Sequence, residues 1–197
     1  GNTADHDINE SFQFKLDATI PAEANLADYK TYKVKFNDTM SKGVIFESIA
    51  SVKVNGNNGT AAKTWTLANT DYTATIPAAA GDGTQSWSLT IDDVIAKCEG
   101  IKIARGFTVE VIYNAHLNEK ATINNASGTT DNKNSVNLEY SNNPNAEGTG
   151  KTEDRLFTPL PLVSPTRRLL TAWTVMLLQE QASSCIRMKA ALRSISS

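Results

Sequence analysis

Phe107-Thr108-Val109-Glu110-Val111-Ile112-Tyr113 sets Phe107, Val109, Val111 and Tyr113 at every second position. That period of two marks a strand with one face in the core. The same alternation recurs on both sides of it. Phe12, Phe14 and Leu16 alternate with Gln13, Lys15 and Asp17, and Tyr32, Val34 and Phe36 alternate with Lys33 and Lys35. Val44 to Val54 is rich in β-branched residues, which fit a pleated surface. Trp65 with Leu67, Trp87 with Leu89 and Ile91, and Val136 with Leu138 and Tyr140 complete the set. Turn clusters such as Asn55 to Gly59, Gly81-Asp82-Gly83 and Asn124 to Asn134 separate these runs. Several short alternating strands with Gly and Asn turns predict an all-β, antiparallel β-sandwich. One short helix is expected over Val94–Cys98, capped by Asp92 or Asp93 and closed by Gly100.

The chain has 197 residues, enough for one core plus an appendage. Apolar residues make up 40% and charged residues 20%, ordinary for a soluble globular domain. No run approaches the ~18 apolar residues of a membrane span, so no membrane partner is expected. A formal charge of −2 leaves no footprint for nucleic acid. Two histidines and two cysteines do not make a common zinc site. Cys98 and Cys185 are one pair in a long chain, not a disulfide framework, and Cys98 reads as a buried free thiol. No phosphate loop or nucleophile elbow appears, and no facing carboxylate pair suited to glycoside hydrolysis can be nominated. No enzyme activity, cofactor or metal is expected.

Three stretches carry a resemblance. They are Tyr29-Lys-Thr-Tyr-Lys-Val-Lys-Phe-Asn-Asp-Thr-Met-Ser-Lys-Gly43, Val109-Glu-Val-Ile-Tyr-Asn-Ala-His-Leu-Asn-Glu-Lys-Ala121, and Asn134-Ser-Val-Asn-Leu-Glu-Tyr-Ser-Asn-Asn-Pro144. Their order and spacing resemble the isopeptide-forming middle domain of sortase-assembled fimbrial shaft subunits (pilins) of Gram-positive bacteria, over residues 8–158. The resemblance implies an immunoglobulin-like sandwich of the collagen-adhesin type in a secreted, cell-wall-anchored protein. It implies partners that are other pilin subunits, joined by sortase-mediated polymerisation. A host surface glycan or matrix protein is the ligand of an alternative adhesin reading on the same sandwich.

The resemblance also implies an intramolecular Lys–Asn amide bond. A lysine amine must be neutral to attack a carboxamide, and burial lowers its pKa. A buried carboxyl, kept protonated, shuttles the proton. Asn134 stands where the family places its reactive asparagine, with Asn142 and Asn143 as lower-ranked rivals. Asp38 is the candidate acid and Glu110 a weaker one. Plain turn roles compete for both leading residues: a turn before Val136 for Asn134, and a side-chain-to-backbone turn bond for Asp38. The donor lysine is not found. Lys15 is the first lysine of the chain, and its alternation with Phe14 and Leu16 points it to solvent. The donor strand is therefore expected upstream of Gly1. The wall-sorting signal and the pilin lysine motif are absent from the sequence.

The chain changes character after Thr158. Residues 159–197 hold five of the 19 Lys+Arg and one of the 21 Asp+Glu, a local charge of +4 against −6 for the rest. Back-translated and read from the third base of each codon, Gln179 to Ser184 permits Gly-Ala-Ser-Phe-Val-Leu, and Cys185-Ile186 permits Tyr. That ordered run resembles the start of the next pilin domain, so residues 159–197 are expected to be a frameshifted, non-native tail. The rival reading is a basic amphipathic helix over Arg167–Ser194, with Leu169, Leu170, Trp173, Leu177 and Leu178 as its apolar stripe. Composition favours helix there in either case.

Overall fold

The computed structural model describes residues 9–77, 83–121, 134–145 and 149–151, together with the backbone of strands at 155–157, 179–181 and 184–193. Two antiparallel sheets face each other. The first runs in the order β11 (Gln179–Gln181), β12 (Ser184–Arg193), β1 (Ser11–Ile20), β7 (Phe107–Leu117), β3 (Val44–Asn57), β4 (Ala62–Thr66). The second runs β10 (Arg155–Phe157), β8 (Asn134–Ser141), β2 (Val34–Met40), β6 (Gln85–Ile91), β5 (Thr73–Thr75), with β9 (Thr149–Lys151) also on β8. The antiparallel sandwich expected from the alternation, of the immunoglobulin-like type implied by the resemblance, is the fold observed.

The alternation becomes the core directly. Phe12, Phe14, Leu16, Ala18 and Ile20 of β1 are buried, as are Val109, Val111, Tyr113 and Ala115 of β7, and the residues between them lie on the outer face. β1 and β7 pair without interruption from Ser11↔His116 to Ile20↔Phe107, so the two inward rows stay in step. Opposite them stand Val34, Phe36 and Met40 of β2, Trp87, Leu89 and Ile91 of β6, and Val136 and Leu138 of β8. Burial of each large side chain contributes about 1.5–3 kcal/mol. β3 is less regular because its pairing with β7 slips between Phe46 and Ser48 and again between Ile49 and Ser51. At the first slip the Phe46 amide donates to the buried Gln85 Oε1 at 2.9 Å, which meets a donor the irregular ladder leaves over.

The expected helix is a single turn, α1 (Val94–Lys97). Of the two candidate caps it is Asp93 that serves, its side chain accepting from the Ile95 amide. The same oxygen accepts from the Tyr32 amide at 3.1 Å, which fixes α1 to the entry of β2. Cys98 ends this turn as a buried free thiol, pushed up to about 12 by burial. Gly106, at φ +76°, opens β7; a Cβ there would lie 2.8 Å from the Ala22 amide nitrogen. Only glycine fits this close backbone approach.

The tail differs from its helical expectation. Gln179–Gln181 and Ser184–Arg193 are strands, and β12 pairs with β1 from Gln13↔Arg193 to Thr19↔Arg187. The edge of β1 offers a row of backbone donors and acceptors, and a seven-pair ladder overrides weak helix propensity. The remainder of the proposed helix, including its apolar stripe Leu169–Leu178, lies outside the described residues. Among the described residues no helix is long and apolar enough to cross a membrane.

Candidate functional site

On β2 the inward row reads Val34, Phe36, Asp38, Met40, so a carboxyl occupies a core position. Asp38 is paired across the ladder with Trp87 of β6 and Val136 of β8. Two residues along, Asn134 sits at the start of β8 opposite Met40, and it too is buried. Neither is the turn residue its type suggests. Asp38 is inside a strand that continues to Met40, and its side-chain partners are other side chains rather than nearby backbone.

Tyr113 comes from the facing sheet and joins the two. Its Oη donates to Asp38 Oδ2 at 2.9 Å and accepts from Asn134 Nδ2 at 2.7 Å. Asn134 Nδ2 also points at Asp38 Oδ2, at 3.3 Å. An aromatic cage holds the phenol in place: Phe14 stacks on it at 5.1 Å, Phe46 at 5.8 Å, and Trp87 meets it edge-on at 4.8 Å. The inward alternation of β7 names Tyr113 as core, and a buried phenol requires a polar partner. That requirement was the available signal for a residue that motif reasoning passed over.

The electrostatics follow from burial. Asp38 is pushed up to about 7, chiefly because the core disfavours its charged form; the Tyr113 hydroxyl and the Asn134 amide pull it back. The Trp87 indole N–H also lowers it, though without the geometry of a hydrogen bond. Tyr113 is raised well above its ordinary value, first by burial and then by the neighbouring carboxyl. Asp38 Oδ1 and Asn134 Oδ1 are both buried and accept no hydrogen bond from the described residues. Two such acceptors in one apolar chamber cost about 1–3 kcal/mol each unless a donor reaches them.

The other nominated residues are elsewhere. Glu110 faces outward on β7 and pairs with Lys15 at 2.6 Å. Lys15 also contacts Asp17 at 3.2 Å. Partial burial lowers the Lys15 pKa, but its bonds to Glu110 and Asp17 outweigh that, and it lies above the ordinary value. Lys15 is thus a firmly protonated amine on the wrong face, as its alternation indicated. Asn142 and Asn143 are exposed beyond the far end of β8. His116 is on the outer face with Nδ1 2.7 Å from Glu47 Oε1, and His6 lies outside the described residues. Among the described residues no group of three or more His, Cys, Asp or Glu side chains is placed to hold a metal ion.

Among the solved structures that resemble the chain are two pilus proteins. The pilus backbone RrgB from Streptococcus pneumoniae is 25% identical, with 75% of this chain and 47% of that one covered and a TM-score of 0.45. The group B streptococcus pilus 2b backbone protein is 15% identical, with 75% and 53% covered and a TM-score of 0.48. The chain therefore spans about half the length of each. No curated protein matches it. The pattern of the Gram-positive pilin backbone subunit 2, Cna-B-like domain, matches residues 8–144, a stretch that contains Asp38, Tyr113 and Asn134. By that match the chain belongs to the Gram-positive pilin backbone family, whose members are structural units of the pilus shaft.

Proposed function

We propose that this domain is a tension-bearing unit of a pilus shaft, cross-linked internally by an amide bond between Asn134 and a lysine that precedes Gly1. The observation that carries the reading is the pair of unmet acceptors, Asp38 Oδ1 and Asn134 Oδ1, buried together between the sheets. A neutral lysine amine attacks Asn134 Cγ, the new C–N bond forms, and Nδ2 leaves as ammonia. Asp38 receives a proton from the amine and returns it towards the leaving nitrogen. A carboxyl held near 7 suits both halves of that exchange. Folding supplies the effective concentration. The link ties the segment that carries the lysine to β8, so that load passes through a covalent bond rather than through the ladders.

Polymerisation with other pilin subunits follows from the family. Assembly by sortase and anchorage to the cell wall are part of the proposal, and so is the assignment of residues 159–197 as an out-of-frame tail. Sequencing the encoding DNA tests that last point: one uninterrupted frame shared by independent isolates would refute it. The amide bond is tested by intact mass of a protein extended through the preceding strand. Cross-linking removes about 17 Da as ammonia, the leaving group of the nucleophilic attack. A folded protein of unchanged mass removes the reading.

A second reading rests on one groove. Tyr29, Lys30, Asp92, Asn143 and Pro144 line an open, polar depression of about 640 Å3 at one end of the sandwich. An aromatic face beside amides and a carboxyl suits a host glycan or a matrix protein. A glycan array in which Tyr29→Ala abolishes a signal would favour this adhesin role.

A further inference from the structure

The distances within the buried site do not favour direct transfer between Asp38 and the leaving nitrogen. Asn134 Nδ2 is 3.3 Å from Asp38 Oδ2, at the long end for a productive hydrogen bond. The path through the phenol is shorter at each step, 2.9 Å from Asp38 Oδ2 to Tyr113 Oη and 2.7 Å from Oη to Nδ2. A hydroxyl both donates and accepts, so it passes a proton along without holding a charge. The ring that carries it is fixed on three sides by Phe14, Phe46 and Trp87.

We propose that Tyr113 is the third catalytic member of this site and relays the proton from Asp38 to the departing Asn134 nitrogen. The inference rests on the amide-bond reading above. The step balances. After the amine has attacked Cγ and its proton has passed to Asp38, the Asp38 O–H gives its proton to Tyr113 Oη, and Tyr113 gives its own to Nδ2. The Cγ–Nδ2 bond then breaks and ammonia departs. Asp38 and Tyr113 are left as they began. Turned end for end, the Asn134 carboxamide would present its oxygen to the same 2.7 Å contact, where the phenol would stabilise the negative charge of the tetrahedral intermediate. In either orientation the hydroxyl touches an atom that reacts.

The hydroxyl also influences Asp38, since its hydrogen bond is the largest of the effects that lower the carboxyl. Its loss raises Asp38 further. A role in packing alone would leave the pH dependence of the reaction unmoved, which separates the two roles.

The test uses the upstream-extended protein, made in a cell-free pulse and followed by intact mass against time from pH 5 to pH 9. Tyr113→Phe keeps the ring stack and removes only the hydroxyl. The expected result is a native near-ultraviolet spectrum with loss of about 17 Da slowed roughly 10- to 100-fold, at the lower end of the range for a positioned acid–base group. The limb of the pH–rate profile that reports Asp38 should move to higher pH. Linking at the parental rate with an unmoved profile overturns the relay while leaving the amide bond standing. A folded parent that never loses the mass overturns both. If Tyr113→Phe does not fold, 3-fluorotyrosine at position 113 retains shape and hydroxyl but acidifies the phenol. A changed rate then supports the relay, and an unchanged rate overturns it.

Discussion

Two polar clusters, each containing an aspartate, lie on opposite faces of the β1–β7 sheet, and their contrast bears on the proposed chemistry. On the outer face Lys15 sits between Asp17 and Glu110, at 3.2 and 2.6 Å, with all three side chains 16–19% exposed. One ammonium is shared by two carboxylates there, and water is near. On the inner face Asp38 and Asn134 meet Tyr113 with no cation beside them among the described residues, and two oxygens lack donors. The groups are of the same kind; the surroundings differ. A compensated cluster holds strands in register, while an uncompensated one stores a demand for a proton or an amine.

The largest test of this contrast removes the acid. Asp38→Asn keeps the shape of the side chain but ends its proton exchange, and in the upstream-extended protein the loss of about 17 Da should slow at least 100-fold. Glu110→Gln, in the same assay, should leave the rate within about twofold, because that carboxylate only balances Lys15.

The next test concerns stability against pH. Asp38 is raised in the folded chain from an ordinary carboxyl value to about 7, so the folded state holds this proton more tightly than the unfolded state does. Its contribution is fully present below about pH 4 and is lost as pH rises through 7. For the 197-residue chain, urea unfolding should therefore show a loss of roughly 2–3 kcal/mol from this group between pH 5 and pH 8, with Asp38→Asn flattening the curve. A curve unaffected by the substitution would mean that the folded state does not hold the Asp38 proton more tightly than the unfolded state does.

The smallest effect belongs to the outer face. Lys15→Met leaves Asp17 and Glu110 directly opposite each other across the ladder, and should cost about 1 kcal/mol at low salt and less at 1 M. A cost of several kcal/mol would show that the outer cluster is as critical as the inner one.

The framework was legible because six runs set apolar residues at every second position and Val44 to Val54 was rich in β-branched residues, and a strand forms in each of these regions. Three-residue strands such as β5, β9 and β10 are too short to show any period. Asp38 was nominated through the resemblance, while its local sequence hid its place. Asp is a turn former, Asn37-Asp38-Thr39 reads as a turn, and only the inward row Val34, Phe36, Met40 reveals that the carboxyl is buried. Asn134 has the same ambiguity. Tyr113 was hidden by the clarity of its strand, because an apolar alternation counts a tyrosine as core and ignores its hydroxyl. The β-strand in the tail contradicted composition because an edge ladder is a long-range partner that no local window contains.

Cys98 has a practical consequence on a bacterial exterior. An accessible thiol there would be oxidised or joined to a neighbour, but one buried behind α1, with its proton held until about 12, offers no thiolate to react. Alkylating reagents should reach it only when the sandwich opens. The cysteine is thus a built-in gauge of mechanical failure: fibres stretched in the presence of a maleimide dye would record at Cys98 which domains have given way.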